Sequence, residues 1–191
     1  MSYINIPKKT LRKEFNTSDQ IIMLEIMSNT NIKKNSECFK SVKTLSKNTQ
    51  MSEPEVKRST AKLEKNGLIE KEQRFDSSSI YHVLPYEGFI MVPLELIKKF
   101  KTKEISDDLL MLYVKLLSCY YTKDTFLEET NNKQISEKSF FCRAKVKKLI
   151  EEMKTKKLIE IKEIGKYTYK IALLEGNPYY EINQGGIKNV I

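Results

Sequence analysis

Apolar positions run through the chain in one order of patterns, met twice. Tyr3-Ile4-Asn5-Ile6-Pro7 and Phe89-Ile90-Met91-Val92-Pro93 each read as a short apolar strand closed by proline, which lacks the backbone donor that further pairing needs. A short helix is expected after each, turning Leu11 and Phe15, or Leu96, Ile97 and Phe100, inward. Ser18-Asp19 and Ser106-Asp107 then offer N-caps for apolar helices predicted over 19–28 and 107–121. Both helices are apolar on most of their circumference, which places them at the centre of a core.

After a variable polar loop, Val42, Leu45 and Ser46 suit a short helix and Asn48-Thr49-Gln50-Met51 a tight turn. Ser52-x-x-Glu55 reads as a capping box, with Pro54 in the first turn of a longer helix. Val56, Ser59 or Thr60, and Leu63 form its buried stripe, and Asn66-Gly67 ends it. Strands are expected at 68–74 and 79–84 around the turn Phe75-Asp76-Ser77-Ser78. Later in the chain a helix over 143–155 buries Val146, Leu149, Ile150 and Met153, and strands at 158–163 and 167–174 flank Ile164-Gly165-Lys166.

The two stretches 45–69 and 135–159 align without a gap, Ser46 on Ser136, Val56 on Val146, Lys57 on Lys147 and Leu68-Ile69-Glu70 on Leu158-Ile159-Glu160. A period this long makes each copy a small domain rather than a stacked repeat. The expectation is a mainly α protein with small β-hairpin wings (α+β): two tandem winged helix-turn-helix domains from an internal duplication, 1–86 and 87–176, with a mobile tail at 177–191.

Composition narrows the function. The 191 residues carry a net charge of +9, and the excess is shared: residues 1–88 hold 15 basic and 11 acidic side chains, residues 89–191 hold 19 and 14. Such an excess favours a polyanionic partner, although lysine-rich solvation gives the same number. Apolar runs are too short to cross a bilayer and the start does not resemble a signal peptide, so a cytoplasmic protein without a membrane role is expected. Cys38, Cys119 and Cys142 lack metal-ligand spacing and are read as reduced thiols. His82 has no partner histidine and reads as a plain strand residue. Tyr113, Tyr120, Tyr121, Phe140 and Phe141 could offer stacking surfaces for single strands, but their spacing favours core packing. No phosphate-binding glycine loop, nucleophile elbow or paired-carboxylate motif is present, so neither an enzyme nor a cofactor is expected.

The segment 45–72, LSKNTQMSEPEVKRSTAKLEKNGLIEKE, resembles winged-helix regulators of the multiple-antibiotic-resistance type, with Leu45, Met51, Ser52, Val56, Leu63, Glu64, Gly67, Leu68 and Ile69 in the places of their pattern. Phe89-x-x-Val92-Pro93 followed by ISDDLLMLYVKLLSCYY is similar to the amino-terminal winged helices of plasmid replication initiators and phage replisome organisers. Two such modules in one small basic chain also resemble the TraN-like DNA-binding proteins of conjugative plasmids. These resemblances imply a double-stranded-DNA-binding protein of a mobile element, acting as regulator or accessory factor. The alternatives are a replication initiator or organiser, and a winged-helix scaffold that binds protein. Double-stranded DNA is the expected partner, with other proteins of the same element as a second class, and the chain is expected to act as a monomer with an internal pseudo-dimer.

In this motif the second helix enters the major groove. Arg143, Lys145, Lys147 and Lys148 are expected to face it, with Ser139 in the preceding turn. Arg143 suits a two-pronged contact to guanine, worth about 1–3 kcal/mol of discrimination, and the lysines suit phosphates. A solvated basic helix face is the alternative. In the first copy Glu53 and Glu55 occupy the leading turn, leaving Lys57, Arg58 and Lys62, so weaker binding is expected there. The wings add Arg74, Lys162 and Lys166. Two heads about 34 Å apart would cover paired half-sites on one face of a duplex.

Overall fold

The computed structural model describes residues 3–30, 36–74, 79–121 and 127–174. The turn expected at 75–78, the side chains of Tyr120 and Tyr121, and the tail at 177–191 lie outside the described residues. The described chain divides into two compact units: Ile4–Met91, and the chain from Val92 onward together with Tyr3.

The first unit starts with strand β1 (Tyr3–Pro7) and a single 3-10 turn (Lys8–Leu11). Helix α1 (Thr17–Ser28) follows and is buried from Asp19 to Ile26 on all sides. Its cap is Asn16, not Ser18: the Asn16 side chain accepts from the Asp19 amide at 2.9 Å, and the Asp19 carboxylate accepts from the Asn16 amide at 3.0 Å. The capping box therefore sits two residues earlier than the Ser-Asp pair implied. Helices α2 (Val42–Thr49) and α3 (Glu53–Lys65) pack on α1 through Leu45, Val56 and Leu63, each fully buried. Burying such a side chain stabilises by about 1.5–3 kcal/mol.

Between α1 and α2 lies strand β2 (Glu37–Phe39), where sequence pattern indicated only a polar loop. It joins β3 (Ile69–Glu72) and β4 (Ile80–Val83) in an antiparallel sheet of order β2-β4-β3, with Glu37 opposite His82 and Ile69 opposite Val83. Strand β5 (Phe89–Pro93) pairs with β1, and most of both strands falls in the first unit.

The second unit continues through α4 (Leu94–Lys101), α5 (Asp107–Tyr121), α6 (Asn132–Ser139), α7 (Arg143–Thr155) and the antiparallel pair β6 (Ile159–Glu163) and β7 (Tyr169–Leu173). Helix α5 supplies the centre: Leu109–Val114, Leu116 and Leu117 are all buried. The Ser106 hydroxyl accepts from the Leu109 amide at 3.3 Å and caps it. A single bridge, Thr130 to Tyr169, stands where the first unit has β2.

The architecture is mixed α+β, dominated by helices. Helices α2 and α6, and α3 and α7, begin and end at positions 90 apart. The same hydrogen bond closes both turns, from Ser46 Oγ to the Met51 carbonyl and from Ser136 Oγ to the Phe141 carbonyl, each 2.6 Å.

Candidate nucleic-acid interface

In the second unit, α6 is started by Asn131, whose side chain accepts from the amides of Lys133 and Gln134 at 3.0 and 3.1 Å. It ends at Ser139, because Phe140 takes the left-handed conformation at φ 62° and ψ 17° and reverses the chain. Cys142 then occupies the N-cap of α7 without a side-chain capping bond. Val146, Leu149, Ile150 and Met153 recur at helical spacing and are buried, which turns the remaining positions outward. Arg143, Lys147 and Lys148 are exposed, and Arg143 and Lys147 lie one turn apart on one face. The first turn contains no acid.

That charge pattern opposes helix stability. The N-terminus of a helix carries partial positive charge, so cations there are unfavourable by about 0.3–1 kcal/mol each, and like charges four apart add a few tenths of a kcal/mol. An anion placed against the first turn of α7 relieves both. Lys154, in the last turn of α7, pairs with Glu151 at 3.3 Å.

Lys145 is engaged within the unit. Its Nζ is 2.6 Å from Asp108 Oδ2 and 4.8 Å from the centre of the Phe141 ring, so it ties α7 to α5. Ser139, expected at the surface, is 2% exposed; its carbonyl accepts from Lys115 Nζ at 2.6 Å. It belongs to the packing under the turn and cannot reach a base. Phe140 departs from its expected core role, being 49% exposed, whereas Tyr113 is fully buried as expected.

The hairpin β6–β7 presents more cations. Lys162 is exposed and stands directly opposite Lys170, which pairs with Glu128. At the tip, the amides of Ile164 and Gly165 both bond the Thr168 carbonyl at 3.2 Å. A Cβ on Gly165 would meet Thr168 Oγ1 at 2.6 Å, so a side chain there would require the Thr168 hydroxyl to move. Lys166 is exposed beside Tyr167, its ammonium 5.4 Å from a ring that is 76% exposed.

In the first unit the Ser52 hydroxyl accepts from the Glu55 amide at 3.4 Å. The Glu55 carboxylate accepts instead from Ser18 Oγ at 2.5 Å and approaches Arg58 at 3.9 Å. Lys57 and Arg58 are exposed on α3. Lys62, expected as a contact residue, points inward: its Nζ is 2.6 Å from the buried Asp19 carboxylate and 5.6 Å from the Phe15 ring. Without it the Asp19 charge would sit in the core unpaired by a cation. Arg74 is exposed on the strand side and lies 5.7 Å from the ring of Phe39.

Residues 13–69 match a family model described as a helix-turn-helix domain. The match spans α1 to the start of β3, so the first unit carries a helix-turn-helix, a DNA-binding type of domain, with α3 as its second helix. No curated protein and no solved structure matches the chain.

Sequence reasoning missed two features. Lys154, on the same helix face as Arg143, is engaged by Glu151 three positions earlier. His82 was read as a plain strand residue, yet Nε2 is 3.2 Å from Glu72 and Nδ1 is 3.6 Å from Glu37. Strand register alone brings those carboxylates to it. Among the described residues, no group of three or more His, Cys, Asp or Glu is arranged to hold a metal ion, and no helix is long and apolar enough to cross a membrane.

Proposed function

We propose that this chain is a non-enzymatic double-stranded-DNA-binding protein made of two winged helix-turn-helix modules that arose by internal duplication. In this reading it prefers particular sequences in the DNA of a mobile element, where it serves as a regulator or accessory factor, and it acts as a monomer. One observation carries the proposal: exposed Arg143, Lys147 and Lys148 cluster at the start of α7, with no acid in the first turn. Exposed Lys162 and Lys166 on the following hairpin extend the same chemistry. Arg143 is assigned to a base edge, and the lysines to phosphates.

The helix-turn-helix match in the first unit and the 90-residue correspondence of helix ends support a shared ancestry for the two units. The first unit is assigned the weaker grip. Its leading turn carries Glu53 and Glu55, Lys62 is committed to Asp19, and only Lys57, Arg58 and Arg74 of the expected cations are exposed.

A fluorescence-anisotropy titration with labelled random duplex, repeated over a range of salt concentrations, tests the proposal. Each neutralised phosphate contributes about 0.9 to the slope of log K against log salt, so the four exposed lysines Lys147, Lys148, Lys162 and Lys166 give a slope of about −3.6. Absence of binding at low salt, or binding insensitive to salt, rejects the reading. Selection of bound fragments from random DNA then decides whether there is sequence preference.

A further inference from the structure

Lys115 lies on the central helix α5, in an environment where a lysine is unexpected. It is half-buried, its Nζ donates to the Ser139 carbonyl at 2.6 Å, and it stands 4.9 Å from the centre of the Phe141 ring and 5.4 Å from that of Phe140. A single ammonium thus touches three consecutive residues, and these are the residues that join α6 to α7. It also faces the carbonyl end of α6, where a cation is favoured.

The turn it grips needs holding. Phe140 adopts φ 62°, a region that bulky L-residues rarely occupy. The same turn in the first unit has Gln50 at φ 61° and is held differently: the buried carboxylate of Glu25 accepts from Asn48 Nδ2 at 2.7 Å, just before the end of α2. An ammonium clamp over two aromatic rings is therefore peculiar to the second unit and not a requirement of the fold. Lys145 adds a second cation, its Nζ 4.8 Å from the centre of the Phe141 ring and paired with Asp108.

We infer that Lys115 is a positioning residue for the basic helix α7, fixing the left-handed turn at Phe140 so that Arg143 and Lys147 face outward in one defined orientation. Burial of its ammonium lowers its pKa to about 8, against the pull of Asp108. The ammonium is held there by the Ser139 carbonyl and the two ring faces. The consequence for duplex affinity rests on the DNA-binding reading; the effect on the turn does not.

The test compares the full chain with K115M, K115R and the double variant K115M/F140G. Hydrogen exchange is followed in peptides spanning 136–150, alongside anisotropy with a labelled random duplex and thermal unfolding. In K115M the hydrogen-bonded amides of Phe140, Phe141 and Val146 should exchange about tenfold faster, the size expected for loss of one charge-assisted hydrogen bond, and duplex affinity should fall by a similar factor. K115R should recover most of both losses. Glycine adopts φ 62° without penalty, so F140G added to K115M should slow the local exchange again. It also keeps the comparison available should K115M alone fold poorly.

Unchanged exchange in 136–150, or an increase spread evenly over the second unit without rescue by K115R, overturns the inference. If the unaltered protein binds no duplex, the proposed function fails, and the exchange measurement still judges Lys115.

Discussion

Reversing the charge at the head of α7 should make the protein more stable and a poorer binder. Arg143 is exposed in the first turn of α7, one turn from Lys147, and no acid shares that turn. In R143E an unfavourable interaction with the helix N-terminus becomes a favourable one, each worth about 0.3–1 kcal/mol. The repulsion with Lys147 becomes an i,i+4 attraction of about 0.2–0.5 kcal/mol. Together these give roughly 1–3 kcal/mol of added stability, and about 4–8 °C in melting temperature per kcal/mol for a unit of this size. Against duplex DNA the same change removes a contact worth about 1–3 kcal/mol, an affinity loss of about 5- to 150-fold before the new repulsion is counted. The salt slope should change little, because Arg143 is assigned to a base edge and the phosphate-facing lysines remain. Differential scanning fluorimetry and anisotropy over a salt series read the two effects separately. A lower melting temperature, or an unchanged affinity, would refute the reasoning that α7 gives up stability to present cations to an anion.

Three further outcomes follow from particular contacts. K62A should cost about 1–3 kcal/mol, because the buried Asp19 carboxylate loses its cation but keeps the bond from the Asn16 amide, whereas K57A should leave the denaturation midpoint within about 0.5 kcal/mol; similar midpoints for the two variants contradict the inward role of Lys62. The Ser59 hydroxyl is fully buried without a hydrogen-bond partner, so S59A should be neutral or stabilising by about 1 kcal/mol in urea unfolding, and a clear loss would reveal a partner. Alkaline stability should reflect two opposed groups. Lys115, lowered by burial from 10.5 to about 8, contributes stability that is full above 10.5 and lost as pH falls through about 8. Cys38, raised from 9.0 to about 12 first by burial and then by Glu25, contributes stability that is full below pH 9 and lost as pH rises through about 12. Melting temperatures between pH 7 and 11 should therefore lose their rise in K115M and lose part of their decline in C38A; profiles unaltered by either substitution dismiss these assignments.

Much of the helical frame was legible in the chain because helices report themselves locally. The stripe Val146, Leu149, Ile150 and Met153 places α7, and its predicted span of 143–155 is the observed one. Gly67, at φ 67°, ends the preceding α3 segment as its lack of a Cβ allows. Strand β2 escaped notice because Glu37-Cys38-Phe39 is too short to show a period of two, and it exists only through pairing with β4. Ser18 and Asn16 are both competent caps by residue type; the chain path chose Asn16 and left Ser18 free to bind Glu55.

Sequence by itself placed α3 and α7 and showed that cations crowd both helices, since hydrophobic spacing and side-chain charge are properties of neighbouring residues. Tertiary structure alone decided which of those cations face solvent. Lys62 finds Asp19 43 positions away and Lys145 finds Asp108 37 positions away, while Ser139 is sealed beneath Lys115. The buried Asp19 carboxylate draws Lys62 by Coulomb attraction where screening is weak, whereas the Lys145–Asp108 pair is partly exposed, and only the folded chain determines which cation is near.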